Sequence, residues 1–174
     1  MKRSIGIGQF LGFAVTALGG TVLHYLYEWL GESPWIAPLS GVNESTWEHM
    51  KLLFWPMFLY AIVQWFFFRD RKDFWCIKLR GILLGIVMIP VLFYTYNGAI
   101  APSPDWINIA IFFLSAAIAY IWETRRFHDG KVYCGSQKWS FFALVFLALL
   151  FTFFTFNTPM LGIFRDPVTG TYGI

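Results

Sequence analysis

The chain has 174 residues, of which 57% are hydrophobic, 21% aromatic and only 13% charged. A soluble domain carries about 25% charge, and a soluble core of this size cannot hide several apolar runs of about 20 residues, the length that crosses a roughly 30 Å hydrocarbon layer. These values exclude an ordinary soluble protein, and a net charge of +3 without a basic tract argues against a nucleic-acid partner.

Five apolar segments predict an all-α, polytopic helix bundle forming a single membrane domain over residues 1–174. The spans fall at about 5–30, 45–68, 77–97, 104–122 and 139–157, with 158–174 as an outer tail. The first, after Met1-Lys2-Arg3-Ser4, imitates a signal peptide but is too long for one and reads as a membrane helix. Gly8, Gly12, Thr16 and Gly20 recur along it every four positions. Such rows let backbones approach closely in lipid, either as a homodimer seam or as packing inside one bundle. The row runs on to His24 and Glu28, each step turning only about 40°.

The second segment opens on Ser45-Thr46-Trp47-Glu48, the pattern of a capping box. The third holds a second small-residue pair, Gly81 and Gly85, then Pro90, which removes one backbone hydrogen bond and predicts a kink. It ends at Tyr94, Tyr96 and Asn97. Ser103-Pro104-Asp105 predicts a cap, a proline at the first helical position and an acid in the first turn of the fourth. After the fifth, Arg165-Asp166-Pro167 and Thr169 to Gly173 read as turns. Trp29, Trp35, Trp47 and Trp106 at one boundary and Trp75, Trp122 and Trp139 at the other fit aromatic belts.

Orientation follows from Lys and Arg. Eleven of the thirteen basic residues, Lys78 among them, fall on the side of the N-terminus, and only Lys51 and Arg165 fall opposite. The expectation is a cytoplasmic N-terminus and an outer C-terminus. Cys76 and Cys134 then lie on the reducing side, where thiols stay free.

Polar residues able to do chemistry gather at the predicted outer ends of the first two helices. His24 and Glu28 come from the first, and Glu44, Glu48 and His49 from the second. His24 follows Arg3 by about one membrane thickness and His49 precedes Arg69 by the same, so both sit near the outer boundary. Tyr94, Asn97 and Asp105 reach the same layer and are candidate lining residues. His24, Glu28, Glu48 and His49 are candidate ligands for a divalent metal such as zinc, which accepts mixed imidazole and carboxylate donors. The structural reading of Glu48 is a capping-box partner for Ser45 or an ion pair with Lys51.

The string Val42-Asn43-Glu44-Ser45-Thr46-Trp47-Glu48-His49-Met50-Lys51 resembles the signature of a bacterial integral membrane family of unknown function, with the pattern V-N-E-S-x-W-E-H-x-K at the start of its second helix. The resemblance implies a bacterial inner (cytoplasmic) membrane protein and no particular activity. Three functions stay open. The polar site binds or conducts an ion, proton or small solute. It is a metalloenzyme site at the outer interface, with a glutamate as general base. Or the protein is a structural or accessory subunit. No G-x-S-x-G, Walker A or dinucleotide-binding glycine pattern occurs.

Overall fold

Five helices follow one another: α1 (Lys2–Trp29), α2 (Thr46–Trp65), α3 (Phe74–Ala99), α4 (Asp105–Asp129) and α5 (Gln137–Phe156), then a short 3-10 turn at Gly162–Phe164. They are seen in a computed structural model that describes residues 2–100, 104–130 and 132–174, apart from the side chains of Lys2, Arg3 and Asp105. Among the described residues no strand forms, and the tail makes one antiparallel bridge between Arg165 and Tyr172.

Helix ends follow local chemistry. Ser45 caps α2, its hydroxyl accepting the Glu48 N–H at 3.3 Å. Helix α4 runs seven residues past the expected end at Trp122 and stops at Gly130, whose φ of 62° suits a left-handed cap. Arg126 and His128 in its last turn favour the negative end of the helix dipole. The expected Ser103 cap lies outside the described residues, and α4 begins at Asp105 with Pro104 before it.

Helices α1, α3, α4 and α5 are long and apolar enough to cross a membrane. The second expected span does not meet that measure, although its 20 residues would reach about 30 Å. It carries Glu48, His49, Lys51 and Gln64, and its position explains how they are tolerated. Helix α2 touches all four other helices, and Leu53, Phe54, Met57 and Ala61 on it are buried. A helix enclosed by protein presents little surface to lipid, so its composition is set by its neighbours. Helices α1 and α5 instead turn Phe10, Leu18, Phe146 and Leu149 outward, an apolar belt suited to a bilayer.

The glycine rows are filled from within the chain. A Cβ at Gly12 would meet the rings of Tyr60 and Tyr120 at 2.6 Å, and one at Gly8 would lie 3.2 Å from the Gln64 amide. Gly20 sits under Phe112, Gly81 under the Glu123 carboxylate, and Gly85 under Leu53 at 3.0 Å. These contacts pack the rows inside one bundle. Two belt tryptophans also pack inward. Trp47 lies against Phe151, Phe154 and Phe164, and Trp75 is buried beside Phe74 and Phe141.

The free-thiol expectation is corrected. Cys76 at the start of α3 and Cys134 in the α4–α5 connection form a disulfide, with their Cα atoms 5.7 Å apart. The α4–α5 connection folds back onto α3, where Gln137 accepts the Trp75 N–H and donates to the Arg71 carbonyl. Sequence position alone could not show that fold-back. Denatured, unreduced protein is therefore expected to show no free thiol by maleimide labelling and two after reduction. Paired Cys76→Ser and Cys134→Ser changes should lower stability by about 2–4 kcal/mol in a thermal melt.

Candidate functional site

The site stands at the end of the bundle that holds the α1–α2 connection. Gly31 and Glu32, both left-handed at φ 65° and 56°, end α1 and turn the chain back. Ser40 then returns to α1. Its hydroxyl accepts the Tyr27 N–H at 2.9 Å and donates to the Leu23 carbonyl, two groups that a regular helix pairs with each other. Ser40 is thus inserted in the helical ladder at the turn that carries His24.

The next ten residues bind one another and their surroundings. The Asn43 side chain accepts the Ser45 N–H at 2.9 Å and donates to the Gly173 carbonyl at 3.0 Å, fastening the tail. Glu48 does not return to the Ser45 N–H as a full capping box would. It accepts the Val42 N–H at 3.1 Å and pairs with Lys51 at 2.6 Å. Lys51 is wholly buried and also donates to the Ala37 carbonyl at 2.8 Å and the Thr155 hydroxyl at 3.1 Å. All three ammonium hydrogens have acceptors.

With the backbone held in this way, Glu44 lies between two imidazoles. His24 Nε2 is 3.6 Å from one carboxylate oxygen and His49 Nε2 is 3.6 Å from the other. The ring centroids are 5.8 Å apart, and one ligand atom from each of the three residues lies within 4.8 Å of the others. His49 Nδ1 is 3.0 Å from the Ser45 carbonyl. A carbonyl only accepts, so Nδ1 holds the hydrogen and, in the neutral ring, Nε2 turns a lone pair toward Glu44. Beside the trio, a cavity of about 210 Å³ opens between α1, α2 and α4, lined among others by Thr21, His24, His49, Ile109 and Phe112.

A single family pattern matches residues 6–174, nearly the whole chain. The chain belongs to the family of unknown function DUF6512. No curated protein and no solved structure matches it. Membership in DUF6512 supplies no activity, so the chemistry rests on the geometry.

Of the expected ligands in this DUF6512 chain, His24 and His49 come together and Glu28 and Glu48 do not join them. Glu28 is exposed at the end of α1, and Glu48 is committed to Lys51. Glu44, expected as a ligand-binding residue of the polar site but not among the metal ligands, supplies the carboxylate. Tyr94 faces outward, and the Asn97 amide donates to the Phe93 carbonyl at 2.8 Å on its own helix. The side chain of Asp105 lies outside the described residues.

A second polar cluster escaped the sequence reading. Lys78, counted above as an orienting charge, is buried in α3 and pairs with Glu123 of α4 at 2.6 Å. Gln9 of α1 lies 3.5 Å from the same ammonium, and the Phe74, Tyr120 and Phe127 rings surround it. Both charges sit near predicted span edges, where charge normally marks the boundary. The usable signal was depth, since Lys78 and Glu123 lie four and six residues inside their antiparallel helices.

Both pairs should behave as buried ion pairs. Lys51→Met or Glu123→Gln alone strands the partner and is expected to cost about 3–5 kcal/mol in detergent-solubilised thermal unfolding. The double change Glu48→Gln with Lys51→Met should cost clearly less than the sum of the single changes.

Proposed function

We propose that this DUF6512 member is a multi-pass membrane protein that binds a divalent transition-metal ion, such as zinc, through His24, Glu44 and His49. The observation that carries the reading is one carboxylate flanked by two imidazoles, each Nε2 at 3.6 Å from a different oxygen. A direct hydrogen bond would bring these atoms to roughly 2.7–3.2 Å. Ligand atoms around a tetrahedral ion at 2.0–2.2 Å stand about 3.3–3.6 Å apart; each histidine is at that distance from one Glu44 oxygen, and the three ligand atoms, within 4.8 Å of one another, need only a small side-chain shift to close on an ion. The His49 Nδ1 contact with the Ser45 carbonyl supports the same reading, because metal-binding imidazoles commonly donate their other N–H to such a group. Three protein ligands leave a fourth position for water or substrate. That open position favours a metalloenzyme as the second reading, although Glu48, one of the glutamates that could have served as general base, is tied to Lys51.

All five helices cross the bilayer in this proposal, as one domain in a bacterial inner membrane. The end bearing Arg69, Arg71, Lys72, Arg80, Arg125, Arg126 and Lys138 faces the cytoplasm. The disulfide at that end runs against the usual redox rule. Cys76 is buried, while Cys134 is partly exposed.

Chelator-treated protein should take up one equivalent of zinc by calorimetric titration and elemental analysis. His24→Ala, His49→Ala and Glu44→Gln should each weaken binding at least about tenfold, and affinity should fall as the pH is lowered, because a protonated imidazole cannot ligate. Wild-type protein that binds no zinc, cobalt, iron or manganese stoichiometrically would rule the site out. For orientation, a cysteine at Ser33 should react with an impermeant maleimide in intact spheroplasts and one at His128 should not, and the reverse pattern would invert the protein.

A further inference from the structure

The cavity beside the trio reaches the surface between α1 and α4. Its lip includes Thr21, Tyr25 and Ile109, all exposed. Thr21 lies three residues below His24 and Ile109 four residues inside the start of α4, which puts the mouth about 4–6 Å below the histidine layer. The mouth therefore lies on the α1–α4 seam, within helices apolar enough to cross a membrane. Around it Leu18, Val22 and Trp106 also face outward. In the membrane reading, this mouth faces the outer edge of the lipid phase.

The cavity has two unlike ends. Leu52, Phe112 and Phe113 supply apolar wall, while His24, His49 and Asn108 supply the polar lining. Its volume of about 210 Å³ holds the first part of one chain and not a bulky ring system. A dication held by two neutral imidazoles and one carboxylate keeps one net positive charge. Its open position therefore suits an anionic oxygen.

We infer that the fourth coordination position takes the anionic head of a single-chain amphiphile, a carboxylate or phosphate, whose chain lies in the α1–α4 seam. This rests on the metal reading above. The anion replaces water on the ion, and the chain replaces lipid between Thr21 and Ile109. Small water-soluble anions have the same head chemistry but nothing to fill the seam.

The test uses the full chain loaded with cobalt(II) in a nonionic detergent, with the visible spectrum of the ion as readout. Dodecyl phosphate and laurate are titrated against inorganic phosphate and acetate. The long-chain anions should shift the spectrum at concentrations at least about tenfold lower than the short ones. Concentration into micelles alone could give such a difference, so Thr21→Trp and Ile109→Trp, which fill the mouth, are titrated alongside. Each should keep the cobalt spectrum and lose the long-chain advantage. Long and short anions acting at equal concentrations would overturn the inference and leave the metal site standing, as would an advantage that survives in both tryptophan variants. Failure of wild-type protein to bind cobalt(II) at all would remove the metal reading and this inference with it.

Discussion

Lys51 is a wholly buried ammonium in the second turn of α2, and much of the histidine end is arranged to hold it. A charge in that position needs every hydrogen accepted. The acceptors come from three places: Glu48 on its own helix, the Ala37 carbonyl of the α1–α2 connection, and the Thr155 hydroxyl of α5. Satisfying one cation therefore ties three parts of the chain together. Glu48 extends the tie by accepting the Val42 N–H, which fixes the backbone just before Glu44. The placement of Glu44 between His24 and His49 is downstream of this buried pair.

The opposite end repeats the device with different parts. Lys78 and Glu123 join α3 to α4, and Gln9 brings in α1. Gly81 is small because the Glu123 carboxylate lies on it, so the glycine and the acid form one feature. Apolar attraction between helices is weak in lipid, and close backbone approach with buried polar pairs supplies specificity in its place. The disulfide and the Gln137 bonds tie the α4–α5 connection to the same end.

Within the histidine end the trio is the less constrained part. Glu44 is partly exposed, and neither histidine is fully buried. Ser40 sits in the helical ladder of α1 beside His24, and the Ser45 carbonyl orients His49. The Ser45 carbonyl thus directs the His49 imidazole and Ser40 fixes the backbone turn that carries His24, while a side stays open to the cavity. A site that exchanges a ligand needs such an arrangement, with a rigid frame and one unfilled position.

The sequence by itself determined the helical class, the approximate helix bounds, the α2 cap at Ser45 and the end of the bundle where His24 and His49 meet. Periodicity and hydropathy are local properties, and depth follows from counting residues along a helix. Only the tertiary structure decided which carboxylate faces the histidines. Glu28, Glu44 and Glu48 lie at similar depth, and the choice depends on the buried Lys51 claiming Glu48 and on a turn whose path no periodicity records. The Cys76–Cys134 bond and the Lys78–Glu123 pair were hidden for the same reason. Each joins residues far apart in the chain, and a charge at a span edge reads as a boundary until a partner helix encloses it.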